Sequence, residues 1–316
     1  MKRILVLGAT GDQGHPLLTR LIAAGMSPVA ALRNPQALAG TEFAGVETVA
    51  ADIYDEASMI AAAAGMDGIA AHLPFVFDRE KAQQMGANVA AAGRANGVQR
   101  IVFHTSCHIA DENIGSPAMD GRRDIITAIA GSGCEWAIIE SRVFMDNMIR
   151  SWNKPGIVNK GIFAYPAKPD LKISWICLDD VAAFMVEALA NAELPSGRYR
   201  VGGPEALVGD EVAAVLSKAA GRPIRFQSLT PDDFASAMSL LVTGSAEVKP
   251  LSIYDGMAQF YRWYNAQGQS PLVVTSEEMA QHFAHRPASL AIWAARQDWN
   301  DPRDPALATR MAGMKA

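Results

Sequence analysis

Three glycines near the start of the chain have the spacing of a phosphate-binding loop. Gly8, Gly11 and Gly14 occur in GATGDQG, between the apolar residues 4–7 and a helical stretch. At a strand-to-helix junction, backbone amides and the helix dipole attract the pyrophosphate of a dinucleotide. We therefore predict that this loop binds such a cofactor, with a plain strand-to-helix turn as the alternative. The predicted contacts of the loop also include Thr10, Asp12 and Gln13.

The residue after the second predicted strand indicates which nicotinamide cofactor is bound. Arg33 directly follows the strand at residues 28–32, and neither Asn34 nor Pro35 is acidic. An acid here would hold the ribose diol of NAD, whereas a guanidinium matches the oxygens of a 2′-phosphate. The sequence favours NADP(H), with NAD(H) still possible because only one cation is present. A solvated surface arginine is the alternative interpretation of Arg33.

Further cofactor contacts are predicted where other strands end. Asp52 and Ile53 follow the third strand and are placed to border an adenine ring, although Asp52 is equally suited to cap the next helix. His72 ends the fourth strand, near the expected ribose or pyrophosphate. The carboxyl ends of parallel strands meet at one edge of the sheet, where ligands bind. The remaining predicted contacts at that edge are Leu73, Pro74 and Thr105.

Apolar, strand-like runs alternate with alanine-rich helical stretches through the first half of the chain, which is typical of βαβ units on a parallel sheet. The six predicted strands are residues 3–7, 28–32, 47–50, 68–73, 100–104 and 135–139. Prolines and glycines break this alternation after Arg150. A last strand at residues 172–177, followed by a helix that begins near Asp179 and Asp180, predicts a return to the sheet.

These elements predict an α/β protein: a Rossmann-type doubly wound parallel sheet with a smaller, mostly helical C-terminal substrate domain. The predicted dinucleotide-binding domain comprises residues 1–150 plus 173–191. The predicted substrate-binding domain comprises residues 151–172 plus 192–316.

The composition excludes several classes of function. The chain has 28 Lys and Arg against 33 Asp and Glu, a net charge of −5, and no basic cluster that would bind nucleic acid. No apolar run approaches the ~18 residues of a membrane span, and the start lacks a signal peptide's apolar region. Cys107, Cys134 and Cys177 are widely spaced, which favours reduced thiols. We expect a soluble cytoplasmic protein, monomeric or homodimeric, whose partner is a small molecule.

Seven short segments, in this order, carry a family resemblance: GATGDQG, ALRNP, AADIYD, FHTS, IIESRVFMDN, ISWICLDDVA and RYRVGGPE. Together they resemble the NmrA-like group of atypical short-chain dehydrogenases/reductases over about residues 1–230. The resemblance implies a Rossmann domain, an NADP-preferring site and a smaller domain that closes a substrate cleft. Members include quinone and other NADPH-dependent reductases, isoflavone-reductase-like enzymes, and proteins that bind the cofactor to report redox state.

The general acid of short-chain dehydrogenases, a Tyr four residues before a Lys, is missing from this chain. In the helix that corresponds by the resemblance, Ala118 occupies the Tyr position and Arg122 the Lys position. Arg122 keeps the ability to hydrogen-bond a cofactor ribose, but its fixed charge makes it a poor proton source.

Ser106 and His108, which follow the fifth strand, are candidates for the role of the missing general acid. Ser106 is placed to polarise a substrate carbonyl, with a simple turn residue as the alternative. His108 has the side chain whose ordinary, near-neutral pKa suits proton delivery. His104 lies inside the strand and is expected to be a core or interface histidine. The candidate catalytic residues are therefore Ser106, His108 and Arg122.

The missing acid favours an activated substrate. Hydride delivery to a plain ketone creates a basic alkoxide, whereas delivery to a quinone or conjugated enone creates a delocalised anion that needs less proton donation. We therefore predict an aromatic or conjugated acceptor. The residues expected to contact it are Phe75, Phe77, Arg142, Phe144 and Asn147.

The C-terminal part contains an aromatic cluster and a pair of histidines. The aromatic spacing favours a core or dimer face over a pocket; the cluster comprises Tyr254, Phe260, Tyr261, Trp263 and Tyr264. His282 and His285 lack further metal ligands nearby, so we predict surface histidines and no metal site.

The leading hypothesis is an NADPH-dependent oxidoreductase that transfers a hydride to a quinone, an enone or a carbonyl. It follows from the glycine loop, Arg33 and the domain plan. The absent Tyr and Lys favour an alternative, an NADP(H)-binding redox sensor without turnover. A lyase or isomerase built on the same fold is a third hypothesis.

Overall fold

The computed structural model describes residues 2–306, which form nine β-strands and eleven α-helices. The strands are β1 (Arg3–Leu7), β2 (Ser27–Leu32), β3 (Glu47–Ala50), β4 (Gly68–His72), β5 (Arg100–His104), β6 (Glu135–Ser141), β7 (Ile162–Tyr165), β8 (Gly197–Val201) and β9 (Arg225–Ser228). The helices are α1 (Gly14–Ala23), α2 (Glu56–Ala62), α3 (Arg79–Asn96), α4 (Pro117–Ala130), α5 (Lys154–Lys160), α6 (Leu178–Ala190), α7 (Gly209–Ala220), α8 (Pro231–Thr243), α9 (Ile253–Ala266), α10 (Ser276–Ala280) and α11 (Leu290–Ala295).

Seven strands form one parallel sheet in the order β3-β2-β1-β4-β5-β6-β8, so the strand order reverses between β1 and β4. Along β1, Leu5 and Leu7 join the core that contains residues of α3 and α4, whereas Ile4 and Val6 join the core that contains residues of α1 and α6. Strands buried on both faces need nearly continuous apolar sequence, which explains the runs in the first half of the chain. The predicted Rossmann-type sheet and its first six strands are confirmed to within two residues.

One predicted strand is wrong. Residues 172–177 form only isolated bridges, at Ile173 and Ile176, and lie outside the sheet. The chain after β8 packs closely on this segment: a Cβ on Gly203 would lie 1.9 Å from the carbonyl oxygen of Trp175. The segment is apolar because it is buried there, and this composition resembles that of a strand. The seventh strand is instead β8, which pairs with β6 although it lies in the range predicted for the substrate domain.

The C-terminal part is mostly helical, as predicted, and its helix α9 packs against two other helices. β7 and β9 pair in a separate two-stranded parallel sheet. α8 and α9 pack together. The hydroxyl of Thr230 caps α8 and that of Ser252 caps α9, each by accepting a hydrogen bond from a backbone N–H group. α9 also contacts α4. Within residues 2–306, no helix has the length and apolar character needed to cross a membrane.

Candidate active site

The loop between β1 and α1 leaves no room for side chains at two of its glycines. A Cβ on Gly8, where φ is +79°, would lie 2.5 Å from the carbonyl oxygen of His72, and one on Gly14 would lie 2.2 Å from that of Gly8. Gly11 donates its N–H to the Gly8 carbonyl at 3.3 Å, which closes the turn. In the described residues, no side chain caps the first turn of α1. The N–H groups of Gly14 and His15 donate to the Gly11 carbonyl at 2.9 and 3.1 Å, so an anionic ligand such as a pyrophosphate would be held by the other amides of the loop.

Two polar side chains of the loop bind to other parts of the protein. Asp12 Oδ2 lies 3.0 Å from Nε of Arg150, a buried residue that follows β6. Gln13 Oε1 accepts a hydrogen bond of 3.0 Å from the hydroxyl of Ser106, which follows β5. The half-buried Thr10 completes the predicted set. These contacts hold the loop against the carboxyl edge of the sheet.

Arg33 and Asp52 lie along the same edge, at the ends of β2 and β3. Arg33 is exposed and makes no hydrogen bond or ion pair within residues 2–306. Asp52 accepts the N–H of Tyr54 at 3.0 Å, and it is Asp55 that caps α2 by accepting the N–H of Ser58. The alternative that Asp52 caps this helix is therefore wrong.

Arg122 is a buried cation beside the end of β4. Its Nη2 donates to the carbonyl of Leu73 at 2.5 Å and its guanidinium carbon lies 4.2 Å from the ring centroid of Phe75. Nε and Nη1 have no partner among the described residues, and burial lowers the pKa of Arg122 to about 10. Burial and the charge of Arg122 lower the pKa of His72 to about 3. The other predicted residues after β3, β4 and β5 are Ile53, Pro74 and Thr105.

The glycine loop and the two unpartnered N–H donors of Arg122 fit a dinucleotide. The loop amides match a pyrophosphate, and the buried donors match ribose or amide oxygens. The exposed guanidinium of Arg33 matches a further phosphate. These features agree with the cofactor contacts predicted from the sequence.

Ser106 has a backbone conformation that is uncommon for a residue other than glycine. Its φ is +65°, in the left-handed region. Ser106 lies two residues after the end of β5, and this conformation lets its hydroxyl reach Gln13. Such outliers persist where the surroundings hold them, and they are frequent at functional sites.

His108 differs from its predicted state. Its ring stacks on Trp263, with centroids 5.8 Å apart, and its Nδ1 has no partner in the described residues. Burial lowers the pKa of His108 to about 3, and the charge of Arg142 acts in the same direction. The expected near-neutral pKa is therefore wrong, because the sequence does not show how far the ring is enclosed. At neutral pH this imidazole is uncharged.

A cavity of about 280 Å³ begins beside Ser106 at the carboxyl edge of the sheet. It brings together Ser106 and His108, two of the three candidate catalytic residues, with the predicted substrate contacts, and the third, Arg122, stacks on Phe75 in its wall. The five predicted substrate residues that line it are Phe75, Phe77, Arg142, Phe144 and Asn147. No Asp or Glu lines this cavity in the described part of the chain.

Helices α8 and α9 supply much of the cavity wall, which the sequence interpretation missed. Three members of the C-terminal aromatic cluster line the cavity: Phe260, Tyr261 and Tyr264. Phe260 and Tyr264 also belong to the buried hydrophobic core, and Tyr261 packs against it, so the expected core role is confirmed for them. The expectation that they do not line a pocket is wrong. The residues that the sequence did not indicate at all are Cys107, Val143, Trp152, Tyr165, Phe234, Met238, Ile253, Met257 and Leu272. The amphipathic pattern of the two helices is a signal for burial, but it does not show what their apolar faces enclose.

Tyrosines in the cavity wall are hydrogen-bonded to one another. The hydroxyls of Tyr165 and Tyr261 lie 2.6 Å apart, and Asn147 Nδ2 donates to Tyr165 at 3.2 Å. Burial raises the pKa of Tyr165 to about 12 and that of Tyr261 well above its ordinary value. Both phenols therefore keep their protons at neutral pH.

The burial of the other histidines mostly follows the prediction. His104 is buried, with Nε2 2.8 Å from the hydroxyl of Ser141, as expected of a core histidine. His282 is exposed, whereas His285 is half-buried, with Nε2 2.9 Å from a carboxylate oxygen of Asp180. Residues 2–306 contain no group of three or more side chains that could hold a metal ion.

The sheet order and the glycine loop define a Rossmann-type α/β protein with a cavity at the carboxyl edge of its sheet. Within that class the chain belongs to the NmrA-like family, whose profile matches residues 1–291. The family resemblance seen in the sequence is confirmed.

Characterised relatives cover most of the chain. An NAD(P)H azoreductase from Xenophilus azovorans is 33% identical over 260 residues, which cover 82% of this chain and 86% of that protein. Quinone oxidoreductase 2 from Escherichia coli is 27% identical over 81% of this chain and 84% of its own length. The crystal structure of the E. coli NADPH-dependent quinone oxidoreductase QOR2 with NADPH is similar with a TM-score of 0.73, at 25% identity, over 92% of this chain and 98% of that one.

Proposed function

We propose that this protein is an NADPH-dependent oxidoreductase that transfers a hydride to an activated acceptor such as a quinone or conjugated enone. The position of Ser106 carries the proposal. Its hydroxyl is bonded to Gln13 of the glycine loop, and the same residue lines the aromatic cavity. A cofactor on the loop and an acceptor in the cavity would therefore be neighbours, as hydride transfer requires.

The residues along the sheet edge have distinct roles toward the cofactor. Bound NADPH supplies the hydride. The glycine loop holds the pyrophosphate, Arg33 the 2′-phosphate and Arg122 the nicotinamide ribose. Arg122 already donates to the Leu73 carbonyl, and this bond orients its two unpartnered donors.

The weak acidity of the side chains that line the cavity favours an acceptor whose negative charge is delocalised after reduction. His108 is neutral at physiological pH, and Tyr165 and Tyr261 hold their protons tightly. These groups are poor general acids for an alkoxide, whereas a reduced quinone or enone spreads its charge and needs less proton donation. The activities named for the relatives, azoreductase and quinone oxidoreductase, support the same substrate class.

Anaerobic oxidation of NADPH tests this function. We expect a naphthoquinone to be reduced at least about tenfold faster than an aliphatic aldehyde, because each tenfold in rate needs only ~1.4 kcal/mol of barrier difference. Gly14→Ala should abolish turnover, since its Cβ would overlap the loop backbone, whereas Gly45→Ala, with open space around it, should not change it.

Two results would contradict the proposal. If NADPH binds and no quinone, enone or aldehyde is reduced, the proposal of a reductase is refuted and the redox-sensor hypothesis is favoured. If the Gly14→Ala protein keeps full activity, the glycine loop is not the cofactor site.

A further inference from the structure

Arg142 is a buried cation whose hydrogen-bonding capacity is mostly unused. It follows β6 and is 1% exposed. Its Nη1 donates to the backbone carbonyl of Glu140 at 3.3 Å, while Nε and Nη2 have no partner in the described residues. Buried donors without partners are costly, so native structures rarely keep them without a reason.

The acidic side chains around Arg142 are paired with other arginines. The Glu140 carboxylate binds Arg198, and Oε1 of Glu278 lies 2.7 Å from Nε of Arg200. Burial lowers the pKa of Arg142 to about 10, which still leaves it protonated at neutral pH. The charge of Arg142 is therefore not neutralised by a carboxylate bonded to it.

This unpaired cation belongs to the wall of the aromatic cavity. Arg142 lines the cavity together with His108, whose Nδ1 is also unpartnered. Phe75, Phe77 and Trp152 supply apolar ring surface in the same walls. The cavity thus combines aromatic walls with hydrogen-bond donors and a positive charge, and no Asp or Glu among its described lining residues opposes an anion.

We propose that Arg142 forms a subsite for an anionic oxygen group, a carboxylate or an ionised phenol, carried by an aromatic acceptor. A guanidinium binds two such oxygens with parallel hydrogen bonds, and burial strengthens charge-assisted bonds of this kind. The subsite deepens the proposed function, because it names the class of acceptor, but its binding chemistry needs no turnover.

Calorimetric titration with 2-naphthoate and its uncharged isostere 2-naphthamide tests the subsite without NADPH oxidation. We expect wild-type protein to bind the naphthoate roughly tenfold to hundredfold more tightly. Arg142→Gln should remove that preference and leave the naphthamide affinity within about twofold, because ring contacts remain. Arg296→Gln removes an exposed positive charge elsewhere and should keep the preference.

Equal affinities of the wild-type protein for the two probes, or no binding of the naphthoate, would overturn the proposal. A preference that survives Arg142→Gln would also overturn it. The wild-type comparison alone decides the matter if that variant does not fold. If the protein prefers the naphthoate through Arg142 but reduces no quinone, the proposed function is refuted and the subsite is not. If it reduces quinones but does not prefer the naphthoate, the subsite alone is refuted.

Discussion

The exposed guanidinium of Arg33 is the side chain to which we assign the choice between NADPH and NADH. Arg33→Gln removes charge-assisted bonds to the 2′-phosphate, which are worth ~1.5–3 kcal/mol. We therefore expect the Kd for NADPH to rise about tenfold or more, and the Kd for NADH to change by less than about twofold. Titration with both cofactors measures the two changes.

Arg94→Gln is the matched control, since Arg94 is an exposed arginine at the end of α3, near the opposite edge of the sheet. It should leave both affinities unchanged. Equal losses for NADPH and NADH in Arg33→Gln would refute the 2′-phosphate role.

Sequence reasoning locates side chains at a strand end but does not give their environment. Ser106 and His108 were predictable because they follow a buried strand of a parallel sheet. The left-handed φ of Ser106 and the low pKa of His108 were not predictable. The enclosure of His108 depends on Trp263, which is far away in the sequence and packs on it only in the folded chain.

Among the elements, the strands position the cofactor side of the site and the C-terminal helices position the substrate side. A parallel strand fixes where its last residue lies, so residues 8–14 and 103–106 indicate the cofactor edge from sequence alone. α9 has no such constraint, because an amphipathic helix shows that it buries a face but not against what. The cavity wall formed by Met257 and Tyr261 therefore had to be seen in the structure.

The contact between α9 and the loop after β4 depends on one glycine. A Cβ on Gly256 would lie 1.9 Å from Cε1 of Phe77, which lines the cavity. Gly256→Ala should favour the helix by ~1 kcal/mol, but overpacking costs typically 1–3 kcal/mol. We expect a lower Tm and a KM for quinone raised about threefold or more, with the Kd for NADPH unchanged.

Gly268→Ala is the control, since a Cβ there meets nothing within 4 Å. Phe77→Leu in the Gly256→Ala background should restore the Tm, because the smaller side chain removes the overlap. An unchanged KM and Tm in Gly256→Ala would show that the Phe77 ring moves aside freely and does not set the cavity wall.

For the whole molecule, the sheet was predictable and the path of the chain across its end was not. Burial on both faces gives most of the first six strands a continuous apolar pattern, whereas β3, at the edge of the sheet, is only partly buried. Residues 172–177 show the same composition because they are buried across the ends of β6 and β8 rather than within the sheet. Apolar composition reports burial, and the hydrogen-bonding partner of a short segment is decided by the rest of the fold.

The stability of the whole protein should depend on pH through its buried histidines. Burial lowers the pKa of His72 and His108 to about 3 and that of His104 well below its ordinary value. Because the unfolded chain binds these protons and the folded protein does not, stability is lost as pH falls below about 6.5. His108→Phe keeps an aromatic ring against Trp263 and removes one such group, so between pH 7 and 5 its free energy of unfolding should rise relative to wild type by about 2 kcal/mol. Urea unfolding at both pH values measures this change, and Phe77→Leu, which removes no titrating group, should differ from wild type equally at both. A His108→Phe difference that does not vary with pH would show that this imidazole has the same pKa in the folded and the unfolded protein.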